Sequence, residues 1–128
     1  MDSINNSKKK VLVIDDSFVN RTYLRLFLTA KGYHVIEAGN GHEAMDIITY
    51  EEPDIILLDL MMPEMDGLET MDELKKRGIT IPVIIISADI QDSTMRKCLN
   101  RGAFCFIKKP VKGEDIDKNI KKALKINL

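Results

Sequence analysis

Short apolar runs recur along the chain, and each one ends on a polar side chain. Val11 to Ile14 ends at Asp15 and Asp16, Ile55 to Leu58 ends at Asp59, Pro82 to Ile86 ends at Ser87, and Phe104 to Ile107 ends at Lys108, Lys109 and Pro110. Four consecutive apolar residues without alternation read as a strand covered on both faces, the signature of a parallel sheet. A carboxylate at the end of such a strand is costly to desolvate unless something pairs with it. Asp59 in the stretch IILLDLMMPEMDG poses that problem most sharply.

The segments between the runs carry helical patterns. Ser17 to Ala30 has Leu24, Phe27 and Leu28 at helical spacing, and Lys31 and Gly32 close it. Val35 and Ile36 begin a weaker second strand that ends near Ala38. Asn40 and Glu43 have the capping-box spacing, and the helix they open turns Ala44, Ile47 and Ile48 inward before Pro53 stops it. Asp66 to Arg77 is a third helix with Leu68, Met71 and Leu74 on one face; Ser93 to Asn100 is a fourth, with Met95 and Leu99 four apart. The last helix, Gly113 to Lys125, opens on Glu114, Asp115 and Asp117 and closes on Lys118, Lys121, Lys122 and Lys125. Those charges complement the helix dipole, so the lysines need no binding role. Five strands alternating with five helices predict a doubly wound parallel α/β domain with right-handed crossovers. A chain of 128 residues suits one such domain, without linker, repeat or second unit.

The charge balance narrows the function. A formal net charge of −1 argues against nucleic acid or an anionic membrane as a direct partner. No apolar stretch is long enough to span a bilayer, and no signal-peptide pattern opens the chain, so a cytoplasmic location is expected. Residues 1–8 read as a polar, disordered tail and 9–128 as the folded domain. Cys98 and Cys105 form no CxxC motif and read as free, semi-buried thiols. His34 and His42 fall at a strand start and a helix start, away from the acidic edge, and Lys8 to Lys10 read as a solvated lead-in.

The polar strand ends carry the chemistry. Ligands of open α/β sheets bind at the carboxyl edge, beside the topological switch point. If the first and third strands are neighbours, Asp15, Asp16 and Asp59 lie within about a strand spacing, roughly 5 Å. Three such carboxylates repel unless a cation sits among them. All-oxygen ligation suits Mg²⁺, which often shares its site with phosphate. A lysine opposite neutralises further charge, a serine hydroxyl donates to a phosphoryl oxygen, and one carboxylate can serve as nucleophile. The residues alone thus reach a Mg²⁺-dependent phosphoryl site.

The ordered set of Asp15-Asp16, Asp59 in DLMMPEMDG, Ser87-Ala88 and Lys109-Pro110 resembles the receiver domain of response regulators, in particular CheY-like single-domain members. Any one of these motifs is weak; the set, each after its strand, is specific, and the likeness runs from about Lys9 to Leu124. The resemblance implies a flavodoxin-like sheet in the order 2-1-3-4-5. It implies that Asp59 accepts a phosphoryl group from a sensor histidine kinase, a phosphotransfer protein or a small phosphodonor. It places Mg²⁺ on Asp16, Asp59 and the Met61 carbonyl, with Asp15 holding it mostly through water. Phosphate oxygens fall to Met61, Ser87, Ala88 and Lys109. Ser87 and Phe106 then act as a switch that re-forms the surface of the fourth helix, fifth strand and fifth helix. The Lys109-Pro110 bond is expected to be cis. Met61 and Asp89 occupy positions that tune phosphate lifetime.

Blander readings stand beside these. Lys109 alone reads as a surface lysine, Ser87 as a strand terminator, Phe106 as a core aromatic, and Met61 and Met62 as packing or loop residues. Phe104 and Cys105 stand where DNA-binding members that dimerise through this surface carry acidic residues, so a monomer or weak dimer is expected. Val111 replaces the usual bulkier residue after Lys-Pro. Ile90, Met95, Leu99 and Phe106 give the output face apolar content for an unidentified partner. The leading expectation is a phosphorelay switch with Mg²⁺ as cofactor, not an enzyme acting on a separate substrate. A phosphate-independent pseudo-receiver competes with it, as does a fragment of a hybrid kinase or transcription factor; the chain's ends read as those of a stand-alone receiver. An Asp-nucleophile phosphohydrolase ranks last, because Met61 stands where its acid/base residue is wanted.

Overall fold

The computed structural model describes residues 8–89 and 91–125. The strands are β1 (Lys10–Ile14), β2 (His34–Ala38), β3 (Ile55–Asp59), β4 (Val83–Ser87) and β5 (Cys105–Lys108). The helices are α1 (Phe18–Ala30), α2 (Gly41–Glu51), α3 (Gly67–Lys76), α4 (Asp92–Asn100) and α5 (Gly113–Leu124). All strand pairs are parallel, and the order is β2-β1-β3-β4-β5. The flavodoxin-like α/β expectation therefore stands, with β5 shifted one residue from the predicted Phe104 start.

The unbroken apolar runs are explained by two cores. On one face, Val11, Val13, Ile55, Leu57, Ile84 and Ile86 pack with Leu24 and Leu28 of α1 and Ile116 and Ile120 of α5. On the other, Leu12, Ile14, Ile56, Leu58, Val83 and Ile85 meet α2, α3 and α4 through Ala44, Met45, Ile48, Met71, Leu74 and Cys98. Every residue of β3 and β4 is buried. Alternating side chains thus both face protein, as parallel sheets require.

Several local details depart from the sequence reading. Cys98 is fully buried, not semi-buried, and it rather than Leu99 turns α4 toward the core. Asn40 accepts from the Glu43 N–H at 2.8 Å, but the Glu43 carboxylate reaches the Gly39 N–H instead of returning to Asn40. The complete reciprocal capping box is at α3, between Asp66 and Glu69. Asp117 is not a solvated dipole partner. It is buried and accepts a 2.7 Å hydrogen bond from the Tyr33 hydroxyl, while Lys121 pairs with its other oxygen at 3.2 Å. Burial first, then the bond to Asp117 and its charge, push the Tyr33 phenol far above its usual range, so it remains a donor. This bond pins the turn after α1 to α5. Tyr33→Phe should cost about 1–3 kcal/mol by leaving a buried carboxylate short of a donor, read as a lower denaturation midpoint with unchanged slope.

Candidate functional site

The register sets the site. Ile14 pairs with Leu58, so Asp15 follows beside Asp59; Asp59 pairs with Ile86, and Ser87 pairs with Lys108. The polar residues therefore lie side by side along the carboxyl edge, where the crossovers after β1 and β3 diverge. Carboxylate oxygens of Asp15, Asp16 and Asp59 lie within 4.8 Å of one another. Asp15 is 4% and Asp59 5% exposed, whereas Asp16 faces solvent.

Each buried carboxylate is held differently. Asp15 accepts from the Ser17 N–H at 2.9 Å and the Asn20 side chain at 3.4 Å. Lys109 Nζ reaches Asp15 at 3.2 Å and Asp59 at 3.4 Å, bridging the two. The sequence reading paired Lys109 with Asp59, and the ion pair is present, but the shorter contact is to Asp15; Asp59 Oδ1 has no hydrogen-bond partner among the described residues. Burial, and then the Asp15 charge, raise the Asp59 carboxyl above its ordinary value; Lys109 and the Met61 amide oppose that rise.

The other expected residues gather at the same edge. Ser87 is fully buried, and its hydroxyl accepts from the Asp89 N–H at 3.1 Å. Asp89 turns its carboxylate away, toward the Gln91 N–H and the Thr94 hydroxyl, both at 3.0 Å, and so stands in for the missing side-chain cap of α4. Lys109-Pro110 is cis. Met61 and Ala88 are exposed at the mouth. Phe106 is partly buried against the core layer of α2, α3 and α4, Met95 is half-buried and Leu99 exposed; Ile90 lies outside the described residues. Gly67 closes the loop after β3. A Cβ there would fall 2.7 Å from the Asp59 carbonyl oxygen, which explains the glycine that ends DLMMPEMDG.

Sequence patterns for the response regulator receiver domain match residues 11–121 of this chain. The chain belongs to the response-regulator receiver family. It is a receiver of two-component signalling. It is 36% identical over 115 residues to the probable C4-dicarboxylate response regulator DctR of Bacillus subtilis, covering 89% of this chain and 51% of that one. It is 34% identical over 116 residues to sporulation initiation phosphotransferase F of the same organism, covering 91% and 94%. The receiver thus spans about half the length of several curated relatives and nearly all of another. Among solved structures, the Vibrio cholerae chemotaxis protein CheY4 superposes with a TM-score of 0.87 at 26% identity, over 92% of this chain and 100% of that one. The receiver domain of a Syntrophus aciditrophicus signal transduction histidine kinase gives 0.83 at 32% identity, over 91% and 90%.

Sequence reasoning missed the supports of the receiver's acidic edge. Ser17 and Asn20 show only as the start of α1, yet they hold Asp15. It also missed the outer face of α1, where Phe18, Val19, Tyr23 and Leu26 form one exposed apolar stripe. A cleft of about 540 Å³ beside it is lined by Tyr23, Leu24, Pro110 and Val111 and reaches Asp15 and Lys109.

The raised Asp59 carboxyl makes a stability prediction. The folded, metal-free protein holds that proton more tightly than the unfolded chain, so stability falls as pH rises from about 4, the unfolded value, through the raised folded value. Asp59→Asn removes the ionised group. At neutral pH without divalent cation it should be more stable by on the order of 1 kcal/mol and should lose this part of the pH slope. Thermal melts from pH 4 to 8 in chelator would show it.

Proposed function

We propose that this receiver is a phosphorelay switch in which Asp59 is the phosphoacceptor. The observation that carries the reading is the Asp59 carboxylate itself: buried, with Oδ1 3.4 Å from Lys109 Nζ and without a hydrogen bond among the described residues. A carboxylate held at the sheet edge beside a cation, with one oxygen free of hydrogen bonds, is placed to act as a nucleophile. The match to sporulation initiation phosphotransferase F along 94% of that protein supports a phosphotransfer role.

The donor set fits Mg²⁺. Three clustered carboxylates carry a like-charge cost that Lys109 only partly offsets, and all-oxygen donors suit a hard cation. Asp16, Asp59 and the Met61 carbonyl would hold it directly and Asp15 through water. When bound, the ion supplies positive charge against the phosphoryl oxygens and the carboxylates.

The chain's own residues do the rest. An Asp59 oxygen attacks phosphorus, and the P–N bond of a phosphohistidine donor breaks with its electron pair leaving on the imidazole. Lys109 shifts its charge onto the new phosphoryl group, and the Ser87 hydroxyl and Ala88 N–H donate to its oxygens. For Ser87 to turn toward the phosphate, the Asp89 N–H must yield its present contact. Movement of Ser87 opens space toward Phe106, and the partner-binding surface of α4, β5 and α5, with Met95 and Leu99, changes in consequence.

A donor must approach a carboxylate only 5% exposed, so it must cover the mouth. The apolar stripe of α1 and the cleft beside Pro110 and Val111 form a broad apolar rim there, and we assign the kinase or phosphotransfer partner to it. The domain acts on no separate substrate and contacts no nucleic acid directly. Among the described residues no helix is long and apolar enough to cross a membrane, and a cytoplasmic location completes the proposal.

Intact mass after incubation with Mg²⁺ and acetyl phosphate provides the test. One labile phosphoryl group should appear, absent with chelator and absent in Asp59→Asn. An unmodified wild-type protein that also fails to bind Mg²⁺ would return the chain to the pseudo-receiver reading.

A further inference from the structure

Asp15 and Asp16 are neighbours in sequence but not in support. The Asp15 side chain is held by Ser17, Asn20 and Lys109. Asp16 enters no hydrogen bond or ion pair among the described residues, although its carboxylate belongs to the acidic cluster. What aims an unsupported side chain is its backbone. The peptide joining Asp15 to Asp16 is a rigid plane, so fixing the Asp15 carbonyl fixes the Asp16 N–H and Cα; the Ser17 N–H, bound to the Asp15 carboxylate at 2.9 Å, holds the next plane, and the two planes together set the direction of the Asp16 Cβ. Rotation of the first plane would swing the Asp16 Cα and Cβ, and with them every rotamer of the side chain, away from the cluster.

One side chain blocks that rotation. Arg21, on the first turns of α1, donates from Nη1 to the Asp15 carbonyl oxygen at 2.7 Å. Its Nε donates to Glu37 Oε1 on β2 at 3.2 Å. Arg25 grips the other Glu37 oxygen at 3.0 Å, and the Arg21 guanidinium lies 5.8 Å from the Phe18 ring centroid. The Arg21 side chain is 18% exposed, so the fork is largely shielded from water. On the β2 side the same strand end is tied by the Asp15 N–H to the Ala38 carbonyl at 3.1 Å. The planar fork of an arginine can hold a carbonyl and a carboxylate at once; an ammonium cannot copy that geometry.

We infer that Arg21, braced by Glu37, is a positioning residue that aims Asp16 into the cation site by clamping the Asp15–Asp16 peptide. This rests on the acidic edge being a Mg²⁺ site, as proposed above. Loss of the clamp lowers Mg²⁺ affinity without removing any ligand. Once the ion is bound it holds Asp16 itself, so the phosphorylation rate at saturating Mg²⁺ is preserved.

Calorimetric Mg²⁺ titration of the full chain, with acetyl phosphate labelling rates across a Mg²⁺ series, tests this. Arg21→Met keeps the apolar stem and should raise the Mg²⁺ Kd by about tenfold, the scale for losing a group that orients a metal ligand. Its labelling rate should return close to wild type at saturating Mg²⁺. Arg21→Lys should restore the affinity only in part. Glu37→Gln should shift affinity in the same direction by less, and Arg25→Met, which touches Glu37 but not Asp15, should stay within about twofold of wild type. Melts in chelator check folding; if Arg21→Met does not fold, Arg21→Lys and Glu37→Gln carry the test. An Arg21→Met Kd within about twofold of wild type overturns the inference while leaving the Mg²⁺ site standing. An equal loss in Arg25→Met also overturns it, since general loosening of α1 would then suffice. Failure of the wild type to bind Mg²⁺ removes the proposed site and this inference together.

Discussion

Two carboxylates, Asp15 and Asp59, are buried side by side at the end of adjacent parallel strands, with one lysine between them. Neither could persist there without the rest of the chain. Strand pairing fixes their separation, the turn into α1 supplies Ser17 and Asn20 to one of them, and the segment after β5 brings the Lys109 ammonium across to both. The arrangement stays underpaired, since one cation faces two buried anions and a third carboxylate waits in solvent at the rim. A site in that condition attracts further positive charge and responds to any change in its own charge.

That response can travel because the site shares its supports with the surfaces around it. Ser87 is bonded to the amide of Asp89, and the Asp89 carboxylate caps α4 through Gln91 and Thr94. A rearrangement at Ser87 therefore reaches the first turn of α4 through two residues. On the other side, α1 both braces the acidic turn and displays Phe18, Val19, Tyr23 and Leu26 to solvent. In the proposed function, donor recognition and metal positioning would therefore share one helix, and the output surface would lie on another. The tightly packed two-sided core between them behaves as a rigid frame.

The fold was legible because its signals are local and redundant. Uninterrupted apolar runs such as Ile55 to Leu58 and Val83 to Ile86 have only one economical solution, a sheet covered on both faces. The breaks at Gly32, Pro53 and the DG pair at Gly67 mark where the chain must turn. The site residues were legible for a related reason: a polar side chain directly after a buried strand has nowhere to go but the sheet edge. Legibility ended where a role depends on a partner distant in sequence. Asp117 reads as one acid among several at the start of a helix, and only Tyr33, folded against it from 84 residues away, makes it a buried anchor. Cys98 and Leu99 are adjacent, and their hydropathy does not say which of them α4 turns inward.

The sequence by itself determined the alternation of strands and helices and the acids, serine and lysine at the strand ends, because strand burial and helix periodicity are written in consecutive residues. Tertiary structure alone decided how those groups share one another. Lys109 bridges Asp15 and Asp59 because the β4–β5 register and the segment after β5 set its reach. Arg21 holds the Asp15 carbonyl and Glu37 at once because α1 lies against the end of β2. Those outcomes depend on distances of a few ångströms between elements far apart in the chain, and such distances exist only after the sheet has closed.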